Sequence, residues 1–226
     1  MRHAVFGAST VVGSALVRRL HAAGEEVLAY DLQATPEAGG PVAVHRCDPD
    51  RDLREPAHFF GVQRIDVGYW LVRSPPFGRF PQGSGRLIGV NVAGPVRVAE
   101  AVLAAGARVM IHAASGSMYA PSWDPIPEGA DFQHHNPYAL SAIAGENALE
   151  LVHVGRPDFN IVYTRLFGVF GWGQARGLVP GLARRIRQGE SVELAPHPES
   201  GGDDHEGLRL SLTYAEDAAA ILVGLV

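Results

Sequence analysis

Residues 3–31 constrain the fold more than any other stretch of the chain. His3 to Phe6 is a short apolar run that ends at Gly7, and Gly13 to Ala23 carries Leu16, Val17 and Leu20 at helical intervals before stopping at Gly24. Glu26 to Tyr30 then reads as a second strand, closed by Asp31. Strand, helix and strand in so short a span make a β-α-β unit. Its two strands must run parallel, joined by a right-handed crossover.

The alternation continues. Val42 to Arg46, Ile65 to Val72, Arg108 to Ala113 and Phe159 to Leu166 read as strands, and Asn91 to Ala105 reads as a helix. Pro137 to Val154 opens with proline at a helix start and keeps Leu140, Ile143, Leu149 and Val152 at helical spacing. Ala215 to Val226 forms a last apolar helix. The expected fold is α/β, a doubly wound parallel sheet of the Rossmann type. Two stretches break the pattern. Ser74 to Arg86 holds three prolines and three glycines, and Pro196 to Gly207 is polar and turn-rich, so both are expected as loops. The first leaves the carboxyl end of a predicted strand, where it serves as a lid over a ligand or as a plain surface loop.

Composition removes several classes of function. With 226 residues, 46% hydrophobic and 19% charged, and no run of eighteen apolar residues, the chain reads as one globular unit, neither disordered nor membrane-spanning. A net charge of −5 gives no general attraction to nucleic acid, so small molecules are the expected partners. All 19 basic residues are arginine, so chemistry that needs a lysine amine is excluded. The single cysteine, Cys47, cannot close an intramolecular disulfide, and a reducing, cytoplasmic setting is expected.

The turn after the first strand reads Gly7-Ala8-Ser9-Thr10-Val11-Val12-Gly13. Glycine permits a tight turn, and backbone N–H groups opening a helix can approach a diphosphate. Asp31, closing the second strand, is placed to accept hydrogen bonds from an adenosine ribose. The reading is dinucleotide binding, against a merely structural turn with a capping Asp. The carboxylate would repel a 2′-phosphate, which favours NAD over NADP.

From here the sequence resembles the extended short-chain dehydrogenase/reductases, the NAD-dependent epimerase/dehydratase family. The motifs are FGASTVVGSALVRRL, Asp31, RCDPDRD, NVAGPVRVAEAV, MIHAASGSMYA, PYALSAIAGENAL, RLFGVFG and YAEDAAAIL, in the family's order and spacing over nearly the whole chain. The resemblance implies an NAD site at Gly7, Ser9, Thr10, Val12, Gly13 and Asp31, with Asp48 against the adenine. It implies Ser115 as the active-site hydroxyl and Tyr138 as the catalytic tyrosine. Residues 1–166 would be the dinucleotide-binding core, and 167–226 would supply a small substrate lobe interleaved with it, entered through Arg165 and Phe167 to Trp172. The implied activity is that of an epimerase or dehydratase on a hydroxylated small molecule, with a nucleotide sugar among the candidates and a homodimer compatible with the family.

Three departures stand out. Thr10 occupies the middle glycine position, where its side chain takes space beside the phosphate and its hydroxyl could donate a compensating hydrogen bond. Val72-Arg73 replaces two small residues after the fourth strand, and Arg73 would meet the diphosphate or, more simply, solvent. Ala142 stands where the family has the lysine of its Tyr-x-x-x-Lys motif. A phenol of ordinary acidity is only about 0.1% ionised at pH 7, so redox chemistry by proton relay should be weakened. A dinucleotide-binding regulatory protein, or a non-redox isomerase or lyase using His134 or His135 as base, stays open beside the enzyme reading. The group His197, Asp203, Asp204, His205 and Glu206 has no regular ligand spacing, so no metal is expected. Arg184, Arg185 and Arg187 fit substrate phosphates or, equally, a helix C-terminus.

Overall fold

The strand segments pair as β-α-β logic requires. A computed structural model describes residues 1–33, 40–74, 81–122, 124–193 and 210–226. Six strands, β1 (Arg2–Phe6), β2 (Glu26–Asp31), β3 (Val44–Arg46), β4 (Val67–Trp70), β5 (Val109–Ser115) and β6 (Asn160–Leu166), form one parallel sheet in the order β3-β2-β1-β4-β5-β6. From β1 the chain winds outward one way to β3, then returns to β4 and winds the other way. The reversal lies between β1 and β4, and open sheets of this kind take ligands at that point, outside the carboxyl ends of the strands. Strand β5 runs two residues past the expected Ala113, because Ala114 and Ser115 find partners in Arg165 and Leu166. That extension carries Ser115 to the carboxyl rim.

Helices cover both faces, as a parallel sheet demands. On one face α1 (Val11–Ala22) buries Val12, Leu16, Val17 and Leu20 against Val5, Tyr69 and Ile111, beside Ala218, Ala219 and Leu222 of α7 (Ala215–Gly224). Arg18 reaches Glu216 at 2.6 Å across the α1–α7 seam. Between β3 and β4 lies the short α2 (Pro49–Asp52). The opposite face holds α3 (Ser84–Ile88), a π-helical turn (Gly89–Ala93), α4 (Gly94–Ala104) and α5 (Pro137–Gly155), with Val98, Val102 and Leu149 packed on Phe6, Trp70 and Met110.

The loop expected through Arg86 therefore ends earlier, at Gly83. Proline and glycine do not oppose the helix there, because a first turn makes no bonds to a preceding turn, and Leu87 and Val90 gain burial. Residues 84–104 form one helical run of mean hydropathy 1.5, long and apolar enough to cross a membrane, with half of it buried within the protein. The remaining elements are a parallel pair, β7 (Val169–Phe170) with β8 (Thr213–Tyr214), and α6 (Leu178–Arg187), none of whose residues is buried. Arg184, Arg185 and Arg187 do lie in the last turn of α6. The lid readings for 75–80, the loop Pro196 to Gly207 and the His197 to Glu206 group fall outside the described residues.

Candidate functional site

The β1–α1 turn is built by close packing. Gly7 has φ +91°, and a Cβ there would stand 2.3 Å from the Leu71 carbonyl carbon, so only glycine lets the turn lie against the end of β4. A Cβ on Gly13 would stand 2.0 Å from the Gly7 carbonyl oxygen. Thr10 closes the motif as the N-cap of α1. Its Oγ1 donates to the Gly7 carbonyl at 2.7 Å and accepts from the Gly13 N–H at 3.0 Å. The expected phosphate contact from this hydroxyl is thus corrected, since its single proton is already committed within the turn. Val12 is buried in the core, so its contribution to a ligand is its backbone N–H. The first-turn N–H groups of Val11 and Val12 have no acceptor within the helix, and the helix dipole favours an anion there.

Asp31 is fastened to this turn: its Oδ2 accepts the Ser9 N–H at 2.8 Å. Burial raises the Asp31 carboxyl above its ordinary value, opposed by the N–H groups of Ser9, Gln33 and Leu32. Its neighbour on the rim is the end of β3, joined by the Cys47 N–H to the Asp31 carbonyl at 2.7 Å. Burial pushes the Cys47 thiol up to about 12, which leaves it a packing residue. Asp48 caps α2 through Oδ1, which accepts from the Asp50 N–H at 3.2 Å and from Arg86 at 3.1 Å. Burial alone would raise the Asp48 carboxyl, but Arg86 and the cap hold it below its ordinary value. Sequence reasoning missed Arg86, since only the fold brings it beside residue 48.

Ser115 stands at the carboxyl end of β5, and Tyr138 lies in the first turn of α5. Ser115 ends its strand and caps the 3-10 turn Gly116–Met118, its Oγ 2.8 Å from the Ser117 Oγ and accepting the Ser117 N–H at 3.2 Å. Helix α5 packs on that turn. Asn136 caps α5 by accepting the Tyr138 N–H at 2.9 Å, and Tyr138 is half-buried. One turn on, Ala142 is buried where α5 meets the π-helical turn, and Asn91 donates to the Ser141 Oγ at 2.8 Å. His134 and His135 are exposed.

Beside this lies a cluster that the sequence reading did not identify. Arg165 makes a two-pronged ion pair with Glu146, 3.0 Å from Nε to Oε1 and 2.7 Å from Nη2 to Oε2, and donates to the Tyr119 hydroxyl. Its guanidinium lies 5.3 Å from the Tyr119 ring centre and 4.9 Å from that of Phe132. Glu146, eight residues after Tyr138 on an otherwise small and apolar helix face, was the signal available.

These residues fit a dinucleotide. The turn leaves no room for a side chain at Gly7 or Gly13, the first turn of α1 has N–H groups without acceptors within the helix, and the Asp31 carboxylate is fastened to the turn through Ser9. Among the described residues no group of three metal-ligating side chains occurs.

Comparison with known proteins shows what the chain is similar to. The chain is 32% identical over 168 residues to a UDP-glucose 4-epimerase of Mycolicibacterium smegmatis, a match covering 67% of this chain and 51% of that protein. The match thus spans about half the length of that relative. Among solved structures, MoeE5 in complex with UDP-glucuronic acid and NAD superposes with a TM-score of 0.75 at 24% identity, over 99% of this chain and 71% of the other. The Bordetella bronchiseptica enzyme WbmG in complex with NAD gives a TM-score of 0.76 at 22% identity, over 99% of this chain and 67% of the other. At such identities these two likenesses establish the fold. Residues 4–225 match the model of the NAD dependent epimerase/dehydratase family, and the chain belongs to that family.

Proposed function

We propose that this chain carries out NAD-dependent epimerase- or dehydratase-type chemistry on a hydroxylated small molecule, of which nucleotide sugars are the leading class, with a redox step slowed by the missing lysine. One observation carries the reading. The glycine turn, fastened to Asp31, lies at the carboxyl ends of the strands beside the point where strand order reverses, and Ser115 ends β5 on that same side of the parallel sheet. NAD held there would supply a hydride acceptor. Val11 and Val12 N–H groups bind the diphosphate, and Asp31 orients the ribose through the oxygen not given to Ser9. Ser115 and Tyr138 hold the substrate hydroxyl between them, and Tyr138 exchanges its proton. The mycobacterial relative, named for UDP-glucose, supports the nucleotide-sugar class.

Residues 1–166 act as the dinucleotide-binding core in this account, while 167–226, interleaved with it, contribute a substrate lobe. The exposed stripe Leu140, Leu151 and Val154 on α5 favours a homodimer. A second reading, a dinucleotide-binding regulator without turnover, is favoured by Ala142 itself, whose methyl side chain brings no cation to Tyr138. The test follows nicotinamide absorbance with UDP-glucose and related sugars across pH, for the wild type and Ala142→Lys. The enzyme account expects slow wild-type turnover near neutrality that climbs toward alkaline pH, and a faster rate at pH 7 in the lysine variant. A wild type that is fast at pH 7 with a break in the histidine range would move the base to His134 or His135. Silence in both proteins would favour the regulator.

A further inference from the structure

The geometry points to Arg73 as a diphosphate ligand of the dinucleotide, a cation provided by this chain at the reversal point of the sheet. The inference rests on the dinucleotide reading above. Arg73 follows the carboxyl end of β4 directly, and the backbone of Leu71 and Val72 forms the wall against which Gly7 packs, 2.3 to 2.5 Å from where its Cβ would stand. Leu71 belongs to the core on the α1 side of the sheet and Val72 to the core on the α4 side. Alternation along the extended chain therefore carries Arg73 to the α1 side, toward the N-terminus of that helix.

Two positive features then lie near one crevice, the partial charge of the α1 N-terminus and a full guanidinium. Among the described residues Arg73 has no ion pair and no side-chain hydrogen bond, and it is exposed. Arg86, Arg97 and Arg165 on the surrounding elements are by contrast already paired with Asp48, Asp50 and Glu146. Next to Arg73, Ser74 is 5% exposed, and among the described residues its buried hydroxyl has no hydrogen-bond partner. A buried polar group left so is a place where a ligand or a water completes the bonding. A planar guanidinium matches two phosphate oxygens at once, and the helix supplies donors from the opposite wall.

The test titrates NAD, ADP, adenosine and UDP-glucose calorimetrically into the full chain, as wild type, Arg73→Ala, Arg73→Lys and Arg108→Ala. Arg108 removes the same charge from an exposed site at the amino end of β5. The expected result is that Arg73→Ala weakens NAD and ADP about tenfold or more, leaves adenosine unchanged and flattens the salt dependence. Arg73→Lys should restore part of the loss, and Arg108→Ala should bind as wild type does. Unchanged NAD and ADP affinity in Arg73→Ala overturns the inference, as does an equal loss with adenosine. Weakening of UDP-glucose alone would assign the guanidinium to a substrate diphosphate and also overturn it. A wild type that binds neither NAD nor ADP would instead remove the dinucleotide reading beneath it.

Discussion

Thr10 shows how much a single side chain's role depends on geometry. In the sequence it is a bulky residue where the family has glycine, and its hydroxyl could as well face outward to a phosphate as inward to the chain. The structure turns it inward, between the Gly7 carbonyl and the Gly13 N–H. Replacing an N-cap threonine by alanine costs about 1 kcal/mol, and by glycine only a few tenths, because glycine suits the cap's backbone. Denaturant midpoints of Thr10→Ala and Thr10→Gly should therefore separate by that margin, with alanine the weaker. Equal midpoints would mean that the hydroxyl has another function. Gly7 was legible as a turn glycine and Asp31 as a strand end because each sits at a fixed offset in the β-α-β unit, whereas Ser115 and Tyr138 were singled out by the family resemblance. Arg86 was not, because its meeting with Asp48 spans thirty-eight positions.

At the scale of elements, boundaries followed burial more than composition. The proline- and glycine-rich stretch before residue 86 looked like continuous loop, yet its last part is the first turn of α3. Helix α5 was plain from its spacing and from Pro137, but its polar lining was not, since an arginine on β6 had to be brought beside Glu146. The side chain of Glu146 is 9% exposed and that of Arg165 23%, so removing one partner strands the other. Arg165→Met should cost about 2 to 4 kcal/mol, and Arg165→Met with Glu146→Leu distinctly less, since an apolar pair leaves no unpaired buried charge. Thermal or chemical unfolding of the two variants decides this. A double variant as unstable as the single one would mean that the loss comes from packing on Tyr119 and Phe132.

For the whole molecule, a doubly wound sheet follows from alternating strand and helix signals, but the position of its reversal follows only from which strands pair. The same sheet encloses His112, 4% exposed, with an unpartnered Nδ1; burial pushes it from 6.5 down to about 4. It is neutral in the folded protein, whereas the unfolded chain takes up its proton below about pH 6.5. Stability is therefore complete above that value and falls as pH drops toward 4, by about 3 kcal/mol at 1.36 kcal/mol per pH unit. His3 is lowered in the same direction, chiefly by burial, and adds to the loss. His112→Phe should flatten the acid limb of a stability–pH curve, and an unaltered limb would place the sensitivity elsewhere. The central claim is that the rim from Gly7 to Asp31 holds NAD, and calorimetric titration of the full chain with NAD and NADP tests it most directly. The account predicts NAD binding tighter than NADP, with the gap narrowed in Asp31→Ala once the carboxylate no longer repels the 2′-phosphate. Equal affinities in the wild type, or binding of neither nucleotide, would contradict it.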